Sequence, residues 1–359
     1  IMPLYEPPAG FSPAATRYLV KMGFDNKAFA AAIINMAVKK YLTISEEDGE
    51  FTLTRAKADK TVLSAEEKKI AEKLLGTAPK VELKTQNHAK VRAAIEALKT
   101  SLQLNQEKIY FLTNRRYLIP GLVFSVLVLA FIALAESGER KFTAGFMSVW
   151  LTGWSVGVFF LLSQVIRAWR EVVSGGESKV GPALFALFIS LFSFPFLVGE
   201  AVGLYVLASV TSITVIVILV AIAFVDYLFH HLLKAPTHAG RRLLDKIEGF
   251  KMFLSAVEKD RFQVLYPQQR TPELFEKYLP YALALDVEQE WAEQFSDVLA
   301  QAGQRGAGYS PAWYSGTGWS SLGASGFASS LGSSFTSAIS SSATAPGSRS
   351  GGGGGGSSG

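Results

Sequence analysis

The sequence predicts a mainly α-helical membrane protein. It has four transmembrane helices, a cytoplasmic winged-helix-like α+β module ahead of them and a C-terminal helical segment after them. Three observations carry this. Of 359 residues, 49% are hydrophobic and 18% are charged, against about 25% charge in a soluble domain. Long apolar stretches without charge occupy the middle of the chain. Before them, the pattern runs helix, helix, hairpin, helix. The composition excludes a disordered chain. With no cysteine, it also excludes disulfide frameworks, thiolate zinc sites and cysteine nucleophiles. The net charge of +5 is mild.

Residues 1–10 read as a proline-rich linker and 11–76 as the winged-helix-like module. Ser12-Pro13 opens its first helix, serine capping and proline at the first helical position, and Gly23 is placed to end it. Asp25-Asn26 opens a second helix to about Lys40, with Phe29, Ile33, Ile34, Ala37 and Val38 on one side. The period then changes to two: Tyr41 to Ile44 and Phe51 to Thr54 flank Asp48-Gly49, a hairpin signal. Ser64-Ala65-Glu66-Glu67 is a capping box for a third helix. Residues 77–116 form a helical connector, its helix running from about Thr85 to Leu104.

A bilayer core of about 30 Å needs about 20 apolar residues per helix. Within a 117–227 bundle, the expected spans are 117–135, 142–166, 180–199 and 201–225. The 46-residue run Val180 to Val225 contains one charge, Glu200. It is too long for a single helix, so a tight hairpin is expected at Pro195, Gly199, Glu200 and Gly203. Eleven Lys and Arg residues flank the spans on one side and two on the other. That asymmetry predicts a multi-pass protein of a bacterial plasma (inner) membrane with both ends of the chain cytoplasmic. With Glu200 at a turn, no span carries an ionisable residue in its middle, which counts against an ion path.

The spacings Gly153-to-Gly157 and Gly199-to-Gly203 let helices approach closely. They read either as packing within the bundle or as a face for a homo-oligomer. Asp226 and His230 lie four apart on one helix face. They read as interfacial polar caps or as a metal or proton site.

Residues 228–302 form a cytoplasmic helical region. Arg241 to Phe262 is a basic amphipathic helix with the stripe Leu243, Leu244, Ile247, Phe250, Phe253, Leu254 and Val257. It either lies on anionic lipid or packs on the soluble module. Thr271-Pro272-Glu273 starts another helix, which Pro280 interrupts. Asp286 to Ala300 is the last. Arg261 with Glu258 or Asp260 is a candidate buried ion pair. Residues 303–359 read as a disordered tail, because 29 of the 45 residues from Ser315 are Gly or Ser. Phe327, Leu331, Phe335 and Ile339, spaced by four, allow only a transient turn there.

Chemistry leaves no signature. No Walker loop or His-Glu-x-x-His occurs, and no Gly-x-Ser-x-Gly lies at a strand-to-helix turn. A protein without enzymatic activity or cofactor is expected. The winged-helix-like module suggests DNA binding through Lys39 and Lys40. Its hairpin tip, Glu46, Glu47, Asp48 and Glu50, repels phosphate, so the charge favours a protein partner over nucleic acid.

Several segments together resemble the YciQ-like predicted membrane proteins, a bacterial family whose characteristic domain has unknown function. They are Tyr5-Glu6-Pro7-Pro8-Ala9-Gly10-Phe11, Ala37-Val38-Lys39-Lys40-Tyr41-Leu42, Gly249-Phe250-Lys251-Met252-Phe253-Leu254 and Tyr278-Leu279-Pro280-Tyr281-Ala282-Leu283-Ala284-Leu285 with Trp291. Trp313-Tyr314-Ser315-Gly316 and the Ser and Gly tracts after it fit as well. The resemblance implies a C-terminal membrane and cytoplasmic part. A signal peptide, an exported β-rich domain and a further span would precede Tyr5, and the start at Ile1 without Met fits such a piece. At Asp286 the family more often has glycine. It supplies no catalytic residues. A membrane scaffold or signalling-type protein is therefore expected, linking an exported domain to a cytoplasmic interaction module. The alternatives are a transporter or lipid-handling protein and a membrane-tethered DNA-binding regulator.

Overall fold

A computed structural model describes residues 2–56, 62–112, 118–135, 139–174, 180–232, 235–255, 270–304 and 309–345. The chain divides into two units. One joins residues 1–113 to 235–359, and the other is 114–234.

The discontinuous unit begins with α1 (Pro13–Lys21) and α2 (Asn26–Val38). Ser12 and Asp25 cap them, their side chains accepting from Ala15 and Ala28 backbone N–H groups. Met22, not Gly23, takes the left-handed position after α1, at φ 45°. β1 (Leu42–Glu47) and β2 (Glu50–Arg55) pair antiparallel from Leu42–Arg55 to Glu47–Glu50. Asp48 and Gly49 both have positive φ, as a two-residue hairpin turn requires. α3 (Ala65–Leu74) opens on the capping box of Ser64 and Glu67.

The sheet departs from a simple wing. β3 (Lys80–Glu82) pairs with β2, so the module runs past residue 76. On the other edge, β6 (Tyr314–Ser315) pairs parallel with β1. The order is β3-β2-β1-β6. α4 (His88–Gln106) packs on α3. β4 (Phe111–Leu112) and β5 (Ala235–Pro236) pair antiparallel. The points where the chain leaves this unit and returns to it are thus bonded neighbours.

α9 (His238–Leu254) buries Leu243, Ile247, Phe250, Phe253 and Leu254 in the core of this unit. Its apolar stripe is therefore taken by protein, not left for lipid; Val257 lies outside the described residues. α10 (Pro272–Ala284) continues through Pro280, correcting the expected interruption. An internal proline costs about 3 kcal/mol. Burying Phe275, Tyr278, Leu279 and Leu283 on both sides of it contributes about 1.5–3 kcal/mol each and outweighs that. The expected last helix is two, α11 (Glu288–Glu293) and α12 (Ser296–Gln304).

The disordered tail is corrected too. Residues 309–345 are ordered structure: β6, then α13 (Thr317–Ser330), a wide turn over Leu331–Phe335 and α14 (Thr336–Ser342). Phe327, Leu331, Phe335 and Ile339 are all buried in the common core. Phe335 packs edge-on to Phe51 of β2, with centroids 5.1 Å apart. Composition disfavours a core here, but one large apolar side chain every fourth residue gives the segment a face to bury.

The second unit comprises α5 (Leu118–Ala135), α6 (Glu139–Ser174), α7 (Val180–Val210) and α8 (Ile213–Leu232). Phe142–Ile166 and Ala183–Val210 are long and apolar enough to cross a membrane, while Ile119–Val128 and Ile213–Leu228 are shorter apolar helices. The expected hairpin at Pro195 to Gly203 is not there. α7 runs straight through it, and the chain breaks at Thr211-Ser212. In a bilayer, proline and glycine are tolerated inside helices because neighbouring groups re-satisfy the backbone. The break falls instead at the polar pair.

Candidate functional site

The α6–α7 contact is built from small residues on one helix and aromatics on the other. A Cβ on Gly199 would meet the Trp154 ring at 3.0 Å; one on Gly203 would meet Leu151 at 2.7 Å and Trp150 at 3.1 Å. Both glycines are therefore helix-packing positions within this unit. Gly153 and Gly157 have nothing within 4 Å of a Cβ. In the same register, Ser155 Oγ donates to Glu200 Oε1 at 2.6 Å, and Trp154 Nε1 donates to the Phe196 carbonyl at 3.3 Å. Glu200 Oε2 is buried and has no hydrogen-bond partner among the described residues.

A second pair of the same kind joins α5 and α8. Ser125 Oγ lies 2.8 Å from Asp226 Oδ2 and 3.0 Å from the Gly121 carbonyl, the two acceptors within reach of its single O–H. The side chain of His230 lies outside the described residues. Among those described, no group of three His, Cys, Asp or Glu residues could hold a metal ion.

In the discontinuous unit, Tyr278, Tyr281 and Trp291 come together around α9, while Pro280 is buried within α10. Phe250 meets Tyr278 and Tyr281 edge-on at 5.4 and 5.7 Å. Trp291 packs on Tyr278 and Phe253 at 5.9 and 5.7 Å. Trp291 Nε1 donates to the Phe275 carbonyl at 3.1 Å. Tyr281 Oη donates to the Phe11 carbonyl at 2.9 Å, and burial pushes its phenol above the usual range. The family-like segment from Tyr278 to Leu285 is thus core that ties the helices following the apolar unit to the N-terminal ones. Glu258 and Arg261 lie outside the described residues.

A charged cluster that pattern reading missed lies beside it. Arg17 of α1, only 5% exposed, grips Asp25 through Nε and Nη2, and its Nη1 reaches the Ala284 carbonyl and Asp286. Asp286 also receives Lys27 at 2.7 Å and Lys21 at 3.2 Å. Partial burial raises the Asp286 carboxyl. The Lys27 hydrogen bond and the Arg17 and Lys27 charges outweigh that and hold it well below the usual carboxylate range. The available signal was Asp286 itself, a charged residue where the resembling family more often has glycine. Glu67, 1% exposed, is likewise satisfied by Asn35, Lys39 and the Ser64 N–H.

These features define a membrane protein whose larger unit is assembled from both flanks of its apolar helices. The chain belongs to the family of the predicted membrane protein (DUF2207) C-terminal domain, whose profile matches residues 2–175 and 178–295. This agrees with the YciQ-like resemblance. No curated protein and no solved structure matches the chain.

Proposed function

We propose that this chain is a non-enzymatic coupling protein. Its apolar unit crosses the bacterial plasma membrane four times, both ends of the chain are cytoplasmic, and the soluble unit docks a protein partner. The observation that carries the reading is the β4–β5 pair. The chain enters and leaves the apolar unit through two hydrogen-bonded neighbours, Phe111 opposite Pro236 and Leu112 opposite Ala235. An even number of crossings fits that joint, and so does the eleven-to-two Lys and Arg asymmetry. The joint is tightly built. Thr237 N–H donates to the Tyr110 carbonyl at 2.9 Å and its Oγ1 to Ile109 at 2.7 Å. Gly240 lets the Tyr110 carbonyl approach where any Cβ would collide with it. A displacement of the helices is delivered at this point to α4 and α9 together. The resemblance adds an exported domain whose state such a joint would relay.

Hydrogen exchange in the membrane-reconstituted full chain tests this. Gly203→Leu forces α6 and α7 apart at Leu151 and Trp150. Coupling predicts faster exchange in Tyr110–Leu112 and Ala235–Leu244, with Gly157→Leu as the tolerated control. Unchanged exchange at the joint beside a disturbed α6–α7 contact would overturn it. Photocrosslinkers on the exposed faces of α3 and α4 then identify the partner.

Transport or lipid handling is the second reading, favoured by Glu200 lying within α7. Substrate-dependent flux in proteoliposomes tests it. DNA binding loses support: Lys39 is engaged by Glu67 at 2.7 Å, and the hairpin is covered on one edge by β6.

A further inference from the structure

Glu200 sits 10 residues before the end of α7 at Val210, about 15 Å along the axis at about 1.5 Å per residue. That is half of a bilayer core about 30 Å thick. Its partner Ser155 is central in the apolar stretch Phe142–Ile166 of α6. The two carboxyl oxygens differ: Oε1 takes the Ser155 hydroxyl, while Oε2 is enclosed without a donor among the described residues.

Among the described residues, no basic side chain pairs with this carboxyl. The α6 face against this part of α7 presents Trp150, Leu151, Trp154 and Ser155, and Phe142–Ile166 contains no ionisable side chain. On α7 the other ionisable group is Tyr205, which is exposed. α8 contributes Asp226, engaged by Ser125, then Tyr227, His230 and His231 in its last turns. α5 contains none.

Charge placed on Oε2 has no donor to meet it among the described residues, and an unpaired charge in an apolar setting is costly. A proton on one oxygen removes the charge and leaves the short contact to Ser155 intact, because a hydroxyl can donate or accept. We propose that Glu200, positioned by Ser155, is a proton-binding site inside the membrane-spanning unit, taking up and releasing one proton on its carboxyl oxygens. Ionisable groups held in the interior of membrane helices commonly mark such paths. Asp226 with Ser125 repeats the chemistry on the other helix pair, 13 residues into α8. The inference needs the apolar unit to be embedded, not the coupling reading.

The probe is dicyclohexylcarbodiimide, an apolar reagent that adds the O–H of a protonated carboxyl across its C=N bond and rearranges to a stable acylurea. The full chain in proteoliposomes is treated across a pH series, in sodium or potassium chloride, and the adduct is located by mass spectrometry. A proton site predicts labelling of Glu200 that declines as pH rises, is the same in both salts and is lost in Glu200→Gln. Ser155→Ala should change the pH profile of labelling, because the hydroxyl that touches the carboxyl is gone; a serine with only a packing role would leave the profile in place. The wild-type and Ser155→Ala series decide the matter even if Glu200→Gln fails to fold. No Glu200 adduct at any pH, or an unchanged profile in Ser155→Ala, overturns the proposal. Protection by sodium at fixed pH also overturns it, and would assign the carboxyl to a metal cation.

Discussion

Asp286 shows how much one residue can carry. It follows α10 at φ 57°, a conformation that costs most L-residues about 1–2 kcal/mol and that aspartate tolerates better. Glycine would relieve the backbone but lose Arg17, Lys21 and Lys27. Because the folded carboxyl is held below its ordinary value near 4, its stabilisation is full above about pH 4. It is lost as pH falls from there through the folded value. Asp286→Asn keeps the left-handed tolerance and removes the charge. At pH 7 it should cost about 1 kcal/mol, the scale of a half-exposed, screened ion cluster. The gap from wild type should close as the protein is taken below pH 4. Near-ultraviolet circular dichroism melts at pH 7 and pH 3 measure both: the gap should be narrower at pH 3 than at pH 7, and a gap that does not narrow would assign the loss to something other than the charges. Residue-scale signals were legible where they were local: Ser12, Asp25 and Ser64 cap the helices they precede. The Arg17–Asp286 contact joins residues 269 apart, and no pattern along the chain announces it.

At the scale of the element, the tail is the informative case. Helices rich in Gly and Ser have low intrinsic propensity, so α13 and α14 exist because Phe327, Leu331, Phe335 and Ile339 find the sheet and α2. Composition therefore argued for disorder, while the four-residue spacing, given little weight, held the answer. Pro280 teaches the same lesson: a local breaker lost to burial on both sides. The Asp48-Gly49 hairpin was readable because both turn and strand signals agree. If tertiary burial alone orders the tail, Phe335→Ala should cost about 3–5 kcal/mol. It would free α13 and α14 well before the rest of the core. Chymotrypsin should then cut after Phe327 and Leu331 rapidly in the variant and slowly in wild type. Equal rates would mean that the tail does not depend on this side chain.

Over the whole molecule, the apolar run from Val180 had to bend once, and the position of the bend decides what Glu200 is. Proline, two glycines and a charge marked residues 195–203 as a turn, a sound reading for water. In lipid these residues serve packing instead: Gly199 and Gly203 receive Trp154, Trp150 and Leu151, and Glu200 is held by Ser155. The helix then extends 31 residues to Val210, and α8 follows for 20 after Thr211-Ser212. On the proposed topology, which puts the joint at Phe111 and Pro236 on the cytoplasmic side, the Thr211-Ser212 break belongs on the opposite one. A chain free of cysteine makes this directly measurable. In intact cells, Ser212→Cys should react with a membrane-impermeant maleimide added from outside. Val202→Cys should stay unreactive until the membrane is dissolved, as should cysteines placed at residues 175–179. A hairpin at 199–203 requires the reverse order, with Val202→Cys reactive and Ser212→Cys protected. That outcome would return Glu200 to the surface and remove the basis for an interior carboxyl.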